Sequence, residues 1–138
     1  MANLKFATIV RNNMLDELTA YAGTSAILKI LSGTQPAGGG AETTVLAQLT
    51  CDVTAFAGAA VAGVLTLNGI TADTAADASG TATWFRILQS NGTTWVTDGD
   101  ISTQVAGTGD MQLDDVVIVL NGTVSLAGPN TYTAPNAA

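Results

Sequence analysis

The stretch Thr83 to Thr97, TWFRILQSNGTTWVT, decides the fold because it holds two β-rich runs on either side of an Asn-Gly pair. Asn and Gly tolerate positive φ, and Asn-Gly between two such runs is a strong short-range signal for a β-hairpin with a type I′ turn. A two-residue turn at Asn91-Gly92 would place Arg86 opposite Thr97. The sequence therefore predicts an antiparallel pair of strands at this point.

Alternation divides the hairpin into an apolar face, suited to a core, and a mixed face that carries both tryptophans. Either the helix or a loop covers the mixed face, or it forms a subunit contact, because Trp and Arg are enriched at interface hot spots. The N-terminal arm could add a further side-chain anchor for a neighbour. The predicted interface residues are Phe6, Trp84, Arg86, Leu88 and Trp95.

Short apolar runs separated by turns fill much of the remaining chain. Alternate residues from Val45 to Val53 are apolar, which predicts a half-buried strand with Cys51 facing the core. The run Val116 to Leu120 is apolar throughout and predicts a strand at the centre of a sheet or buried on both faces. Strands at this spacing are typical of an antiparallel β-sandwich, with a jelly roll as one topology. The predicted fold class is mainly β with one N-terminal α-helix.

The segment Ala7 to Ala22 predicts that helix, since its apolar residues recur at helical spacing and Gly23 supplies a natural stop. The residues of the apolar stripe are Val10, Met14, Leu18 and Tyr21, joined by Leu15 and Ala22 on a neighbouring edge. A stripe of this kind needs a partner surface, and we expect it to pack against the side or end of a sheet.

The 138 residues predict a single domain, residues 1–138, with an N-terminal arm at 1–6 and an extended C-terminal tail at 129–138. Eleven carboxylates and four basic residues give a net charge of −7. Nucleic-acid binding is therefore disfavoured, because it depends on clustered Lys and Arg, and anionic membranes are disfavoured for the same reason. The sequence also shows no secretory signal.

Catalysis has few candidate residues, since the chain has no His and one Cys. Neither lysine lies in a Ser-x-x-Lys context that would activate a nucleophile. The acidic pairs, such as Asp98 with Asp100, favour turns over calcium sites because none completes a known calcium loop. We therefore expect a protein that is not an enzyme, with no cofactor and no metal site.

Five motifs resemble a family of small bacteriophage virion proteins, and together they cover most of the chain. They are RNNMLD at 11–16, ILSGTQPA at 30–37, LAQLT at 46–50, GVLTLN at 63–68 and GTATWFR at 80–86. The resemblance implies a structural role, chiefly as a capsid decoration (cement) protein that stabilises the head shell. It brings no catalytic or ligand residues.

The expected partners are the major capsid protein or other virion proteins, together with further copies of the chain, a trimer being favoured. The expected location is the outer capsid surface of the virion, after synthesis in the host cytoplasm. One alternative is a neck or tail adaptor, or a tail-tip protein. Another is a carbohydrate- or receptor-binding β-sandwich, for which an exposed Trp95 would be the marker.

Overall fold

The computed structural model describes residues 4–128 and 130–134, in which one helix is followed by ten strands. The elements are α1 (Thr8–Ala22), β1 (Ile27–Ser32), β2 (Thr44–Thr50), β3 (Phe56–Val61), β4 (Val64–Leu67), β5 (Gly80–Thr81), β6 (Trp84–Leu88), β7 (Trp95–Thr103), β8 (Met111–Leu113), β9 (Val117–Ile118) and β10 (Thr131–Thr133). The predicted N-terminal helix is confirmed. It ends where predicted, with the backbone N–H of Gly23 bonded to the Thr19 carbonyl at 3.3 Å.

Two main sheets build the fold. Five strands pair in the order β2-β1-β6-β7-β8, three in the order β10-β4-β3, and β5 and β9 form a separate pair. Every pair of strands is antiparallel except β7 with β8, which is parallel. The predicted fold class, mainly β and sandwich-like with one helix, is confirmed.

The core contains side chains from both main sheets. Tyr132 of β10 joins them, because its ring lies 5.5 Å from Phe56 of β3 and 6.0 Å from Phe85 of β6, between ring centroids. Cys51 is buried in the same cluster, as its place in the alternating run predicted. Edge-on and tilted aromatic contacts of this kind add to the stabilisation from buried area.

The hairpin formed by β6 and β7 exists, but its turn and register differ from the prediction. Residues 90–93 form a four-residue loop, closed by the Gln89 N–H donating to the Thr94 carbonyl at 2.9 Å. Only Gly92 of the Asn-Gly pair has positive φ, so the turn is not type I′. A bulge then leaves Val96 unpaired and places Arg86 opposite Asp98 instead of Thr97.

Two predictions for the C-terminal part of the chain also change. In the apolar run from Val116 to Leu120, Ile118 is buried, but Val117 and Val119 are 60% and 63% exposed. The run is therefore not a strand buried on both faces. Within the predicted tail 129–138, residues 131–133 pair with β4 as strand β10, while residues 129 and 135–138 lie outside the described residues.

Candidate functional site

The outer face of the five-stranded sheet is organised around one ion pair. The bulge in β7 sets Asp98 opposite Arg86, and the carboxylate accepts two hydrogen bonds from the guanidinium, at 2.7 Å from Nε and 2.8 Å from Nη2. Both side chains are almost fully buried. Two parallel charge-assisted hydrogen bonds fix the relative orientation of these groups more firmly than one bond would.

A glycine-rich strap, residues 33–43, covers this ion pair. The Nη1 of Arg86 donates to the Gly40 carbonyl at 2.8 Å, and the Gly39 N–H donates to Asp98 at 3.4 Å. At its far end, the Nε1 of Trp84 donates to the Thr43 hydroxyl at 2.9 Å. The strap therefore consists of backbone and side-chain groups that satisfy the polar atoms of the sheet beneath it.

Glycine residues allow the strap to pass close to the indole of Trp95. A Cβ at Gly38 or Gly39 would lie 3.2 or 3.3 Å from the ring of Trp95, and Gly39 also has φ of 73°. Both the contact and the left-handed conformation disfavour larger residues at Gly39.

A second ion pair holds the strap beside the first one. The Nζ of Lys29 on β1 lies 2.9 Å from Glu42, whose other carboxylate oxygen is 3.9 Å from Arg86. The two basic residues of this sheet face are thus both paired with carboxylates of the chain. Among the described residues of this face, both cations therefore already have an anionic partner.

The pKa values of the central pair move in the directions that preserve both charges. The hydrogen bonding that Arg86 donates to Asp98 is the main cause that raises the pKa of Arg86 above its ordinary value. Burial alone would raise the pKa of Asp98, but the hydrogen bonds and charge of Arg86 outweigh it and lower the pKa. Both shifts favour the charged forms, so each group stabilises the charge of the other.

This arrangement corrects the predicted interface at three positions. Trp84, Arg86 and Leu88 are 1%, 4% and 2% exposed, because the sheet and the strap bury them within the chain. They are therefore not available for a subunit contact while the strap is in place. Trp95 remains 41% exposed and Phe6 is half-buried, so for these two residues the interface stays a prediction.

Two polar side chains of helix α1 bond to the three-stranded sheet. Asp16 accepts a hydrogen bond from the backbone N–H of Ala60 at 2.6 Å, and Asn12 accepts one from Gly63 at 2.8 Å. The Arg11 guanidinium lies directly over Gly63, where a Cβ would be 2.5 Å from Nη1. The helix thus covers the edge of β3 and the tight turn that joins β3 to β4.

The apolar stripe predicted to face the sheet points mostly the other way. Val10, Met14 and Tyr21 are 42%, 44% and 50% exposed, whereas Leu15 and Ala22 are the buried apolar residues of the helix. The prediction that the stripe packs against the chain is therefore wrong for Val10, Met14 and Tyr21, whereas Leu18 and the neighbouring-edge residues Leu15 and Ala22 do pack on the core. We call Val10, Met14 and Tyr21 the outer stripe.

A second apolar surface lies on strand β9 and the residues just after it. Val117, Val119 and Leu120 are all more than half exposed. They adjoin a shallow depression of about 450 Å³ that Asp114 and Asp115 also line. Exposed apolar groups concentrated in this way are typical of surfaces that contact another molecule.

The remaining candidate chemistry is structural in the part of the chain described. Burial raises the pKa of Cys51 to about 11, which makes its thiol a poor nucleophile near neutral pH. Asp73 accepts hydrogen bonds from the N–H groups of Ala75 and Gln48. Among residues 4–128 and 130–134, no group of three or more side chains could hold a metal ion, and no helix could span a membrane.

The fold and its surfaces define an acidic, sandwich-like β-domain with one helix docked through polar contacts and two exposed apolar surfaces. Comparison with protein-family models, with curated proteins and with solved structures finds no match. The exposed apolar residues of α1 and those beside β9 are the features of the described residues that are typical of contact surfaces.

Proposed function

We propose that this chain is a structural protein of a bacteriophage virion, and that it decorates the capsid and stabilises the head shell. The outer stripe of α1 carries the proposal. It presents Val10, Met14 and Tyr21 to solvent on a chain with a net charge of −7. Exposed apolar side chains grouped on one helix face favour a contact with another protein, because they are costly to leave in water.

The acidic surface supports a position outside a DNA-filled shell. Carboxylates do not compete for the phosphates of a packaged genome, and the bases on the strapped sheet face are already paired. Many copies on one particle would also convert weak individual contacts into stable attachment.

Immunogold electron microscopy on intact phage particles tests the proposal. Label distributed over the head is the expected result. Label confined to the neck or tail would move the same domain to an adaptor or tip role and overturn the decoration proposal. Particles without label, in a preparation where an antibody against the major capsid protein labels the heads, would overturn the virion proposal altogether.

Carbohydrate binding is the second candidate, and the partial exposure of Trp95 is the observation that favours it. Gly38 and Gly39 pack against the indole, so part of its surface is already covered. A glycan titration of the intact chain and of Trp95→Ala tests this candidate, since stacking on the indole would be lost. Equal signals from the two proteins would exclude a glycan site at Trp95.

A further inference from the structure

The outer edge of β10 carries backbone groups without partners. Hydrogen bonds from the Leu67 N–H to the Asn130 carbonyl and from the Ala134 N–H to the Gly63 carbonyl fix the ladder between β10 and β4. With this spacing, the backbone N–H and carbonyl groups of Tyr132 point toward β4. The backbone N–H and carbonyl groups of Thr131 and Thr133 point away from β4. No hydrogen bond joins the backbone N–H or carbonyl groups of these two threonines to another described residue.

Other sheet edges receive hydrogen bonds from the rest of the chain at individual positions. Along β2, the Leu46 carbonyl accepts a hydrogen bond from the Asp77 N–H at 2.8 Å. Along β8, the side chain of Asn130 accepts one from the Gln112 N–H at 2.6 Å, and along β3 Asp16 accepts one from Ala60. Natural proteins cover their edges in this manner to prevent uncontrolled pairing. Among the described residues, the outer backbone groups of Thr131 and Thr133 receive no such bond.

The open edge lies in a groove of about 320 Å³. Thr131 and Thr133 form one side, and Gly107, Gly109, Asp110 and Gln112 contribute to its lining. Two such recessed edges cannot easily approach each other, so the groove disfavours pairing of β10 with the β10 of another copy. A single extended segment that protrudes from its own domain fits this shape better, through backbone hydrogen bonds along one strand.

The N-terminal arm has the pattern and charge for this groove. In residues 1–6, Ala2, Leu4 and Phe6 alternate with Asn3 and Lys5, which is the period of a β-strand. In the chain itself, residues 4–7 form no strand and Leu4 is 65% exposed.

Charge supports the same occupant. The chain has four basic residues, of which Lys29 and Arg86 are in ion pairs and Arg11 lies over Gly63. Lys5 is exposed and lies in no salt bridge with a described residue, and the exposed carboxylate of Asp110 lines the groove. The basic residue of the arm and the acidic residue of the groove are complementary.

We infer that the groove beside β10 binds the N-terminal arm of a second copy of this chain as an added β-strand, with Lys5 facing Asp110. The inference rests on the proposed assembly role and specifies how copies are joined. The arm begins close to the groove, because the Arg11 guanidinium covers Gly63 and Gly63 bonds to the residue that follows β10. Arms that leave the domain near the groove can be exchanged between neighbouring copies.

Zero-length carbodiimide cross-linking of the purified chain tests the contact without any substitution. Equal amounts of ¹⁴N- and ¹⁵N-labelled protein are mixed, cross-linked and analysed by mass spectrometry. Lys29 and Glu42, 2.9 Å apart within one chain, provide an internal positive control. We expect Lys5–Asp110 peptides that combine the two isotopes. If these peptides form only within one isotope, or if they are missing while the control forms, the inference is overturned.

The backbone contact is tested by Thr133→Pro, with Thr133→Val as the matched control. Proline removes the N–H that points into the groove, while valine keeps it and retains a branched side chain. Sedimentation should show association of the chain weakened about fivefold to tenfold by proline, the value of one hydrogen bond, and changed less than about twofold by valine. Circular dichroism reports whether both variants fold.

Equal association of the two variants would overturn strand addition, as would a wild-type chain that stays monomeric at all concentrations. A loss of association with proline but without the Lys5–Asp110 cross-link would assign the edge to another segment and overturn the arm as its occupant. If Thr133→Pro does not fold, the cross-linking result decides. These measurements need no phage particle, so their failure is distinct from a failure of the decoration proposal.

Discussion

The glycine-rich strap, residues 33–43, and helix α1 both cover a sheet, but neither is attached in the way that its sequence suggests. The strap has little apolar content and reads as a flexible loop, yet Arg86, Asp98, Trp84 and Lys29 side chains hold it in place. The helix has an apolar stripe and reads as a packed element. Asn12 and Asp16 nevertheless bond it to the sheet, and most of the stripe lies in solvent.

The difference shows that attachment depends on which groups need partners. The sheet face under the strap carries a buried ion pair, and unpaired buried charges are costly, so a polar segment must remain close to it. The edge of β3 and its turn present backbone N–H groups, which polar side chains of the helix can satisfy. The outer stripe then remains available for another molecule.

Replacing Asp98 by Ala should have the largest effect. It leaves the buried Arg86 guanidinium without its carboxylate and removes the bond to Gly39, so the free energy of unfolding should fall by about 3–5 kcal/mol. Urea denaturation measures this change. Asp100→Ala is the matched control, since its side chain is exposed and should cost no more than about 0.5 kcal/mol. Equal losses in the two variants would contradict a central role for the ion pair.

The same pair predicts a dependence on pH. The folded state lowers the pKa of Asp98 below its ordinary value of 3.8, so the carboxylate stabilises the fold above that pH. This stabilisation is lost as the pH falls through the lowered pKa. The difference in unfolding free energy between the wild type and Asp98→Asn should therefore be constant from about pH 5 to 7 and shrink below about pH 4. A difference that persists undiminished to pH 2 would contradict the prediction.

Gly39→Ala tests how closely the strap is packed, with Gly58→Ala as its control. Both glycines have positive φ, 73° at Gly39 and 64° at Gly58, so both variants should lose about 1–2 kcal/mol from left-handed strain. Only Gly39 also has Trp95 at 3.3 Å from the added Cβ, whereas Gly58 has no atom within 4 Å. Gly39→Ala should therefore cost about 1 kcal/mol more, measured by thermal or urea denaturation. Equal losses in the two variants would show that the strap tolerates displacement.

Asp16→Ala tests the polar attachment of the helix. It leaves the Ala60 N–H without its acceptor and should lower stability by about 1–3 kcal/mol. Native-state hydrogen exchange should show the amides of α1 exchanging faster, while those of β6 keep most of their protection. Glu17→Ala, on the exposed side of the same helix, should leave both rates nearly unchanged. Uniform loss of protection throughout the chain would mean that the helix does not open separately.

The sequence predicted the elements better than their contacts. Alternation found strand β2 and the pair formed by β6 and β7, because burial on one face imposes a period of two. The predicted strand from Val45 to Val53 was too long, since β2 ends at Thr50 and Val53 is exposed. The four-residue loop and the bulge at Val96 were missed, since Asn-Gly fits several turn types. The change of register at the bulge created the central ion pair, because it placed Asp98 and not Thr97 opposite Arg86.

The outer stripe and the edge of β10 could not be predicted from periodicity for a different reason. A helical stripe identifies an apolar face but not the surface that covers it, and the buried side of α1 depends on backbone N–H groups from residues 60 and 63. The open edge depends on which strand is outermost, a property of long-range pairing. The local signal for a polar contact was a pair of side chains one helical turn apart, the amide of Asn12 and the carboxylate of Asp16.

Met14→Ser should have the smallest effect on stability and a clear effect on assembly. Its side chain is 44% exposed, so the free energy of unfolding should change by no more than about 0.5 kcal/mol. If the outer stripe contacts the particle, co-sedimentation of the variant with heads that lack this chain should fall well below that of the wild type. Val105→Ser is the control, because Val105 is 99% exposed in the loop after β7 and away from the stripe. Equal co-sedimentation of the two variants would remove the outer stripe as the attachment surface while leaving the arm and groove of β10 untouched, since these join copies of the chain to each other.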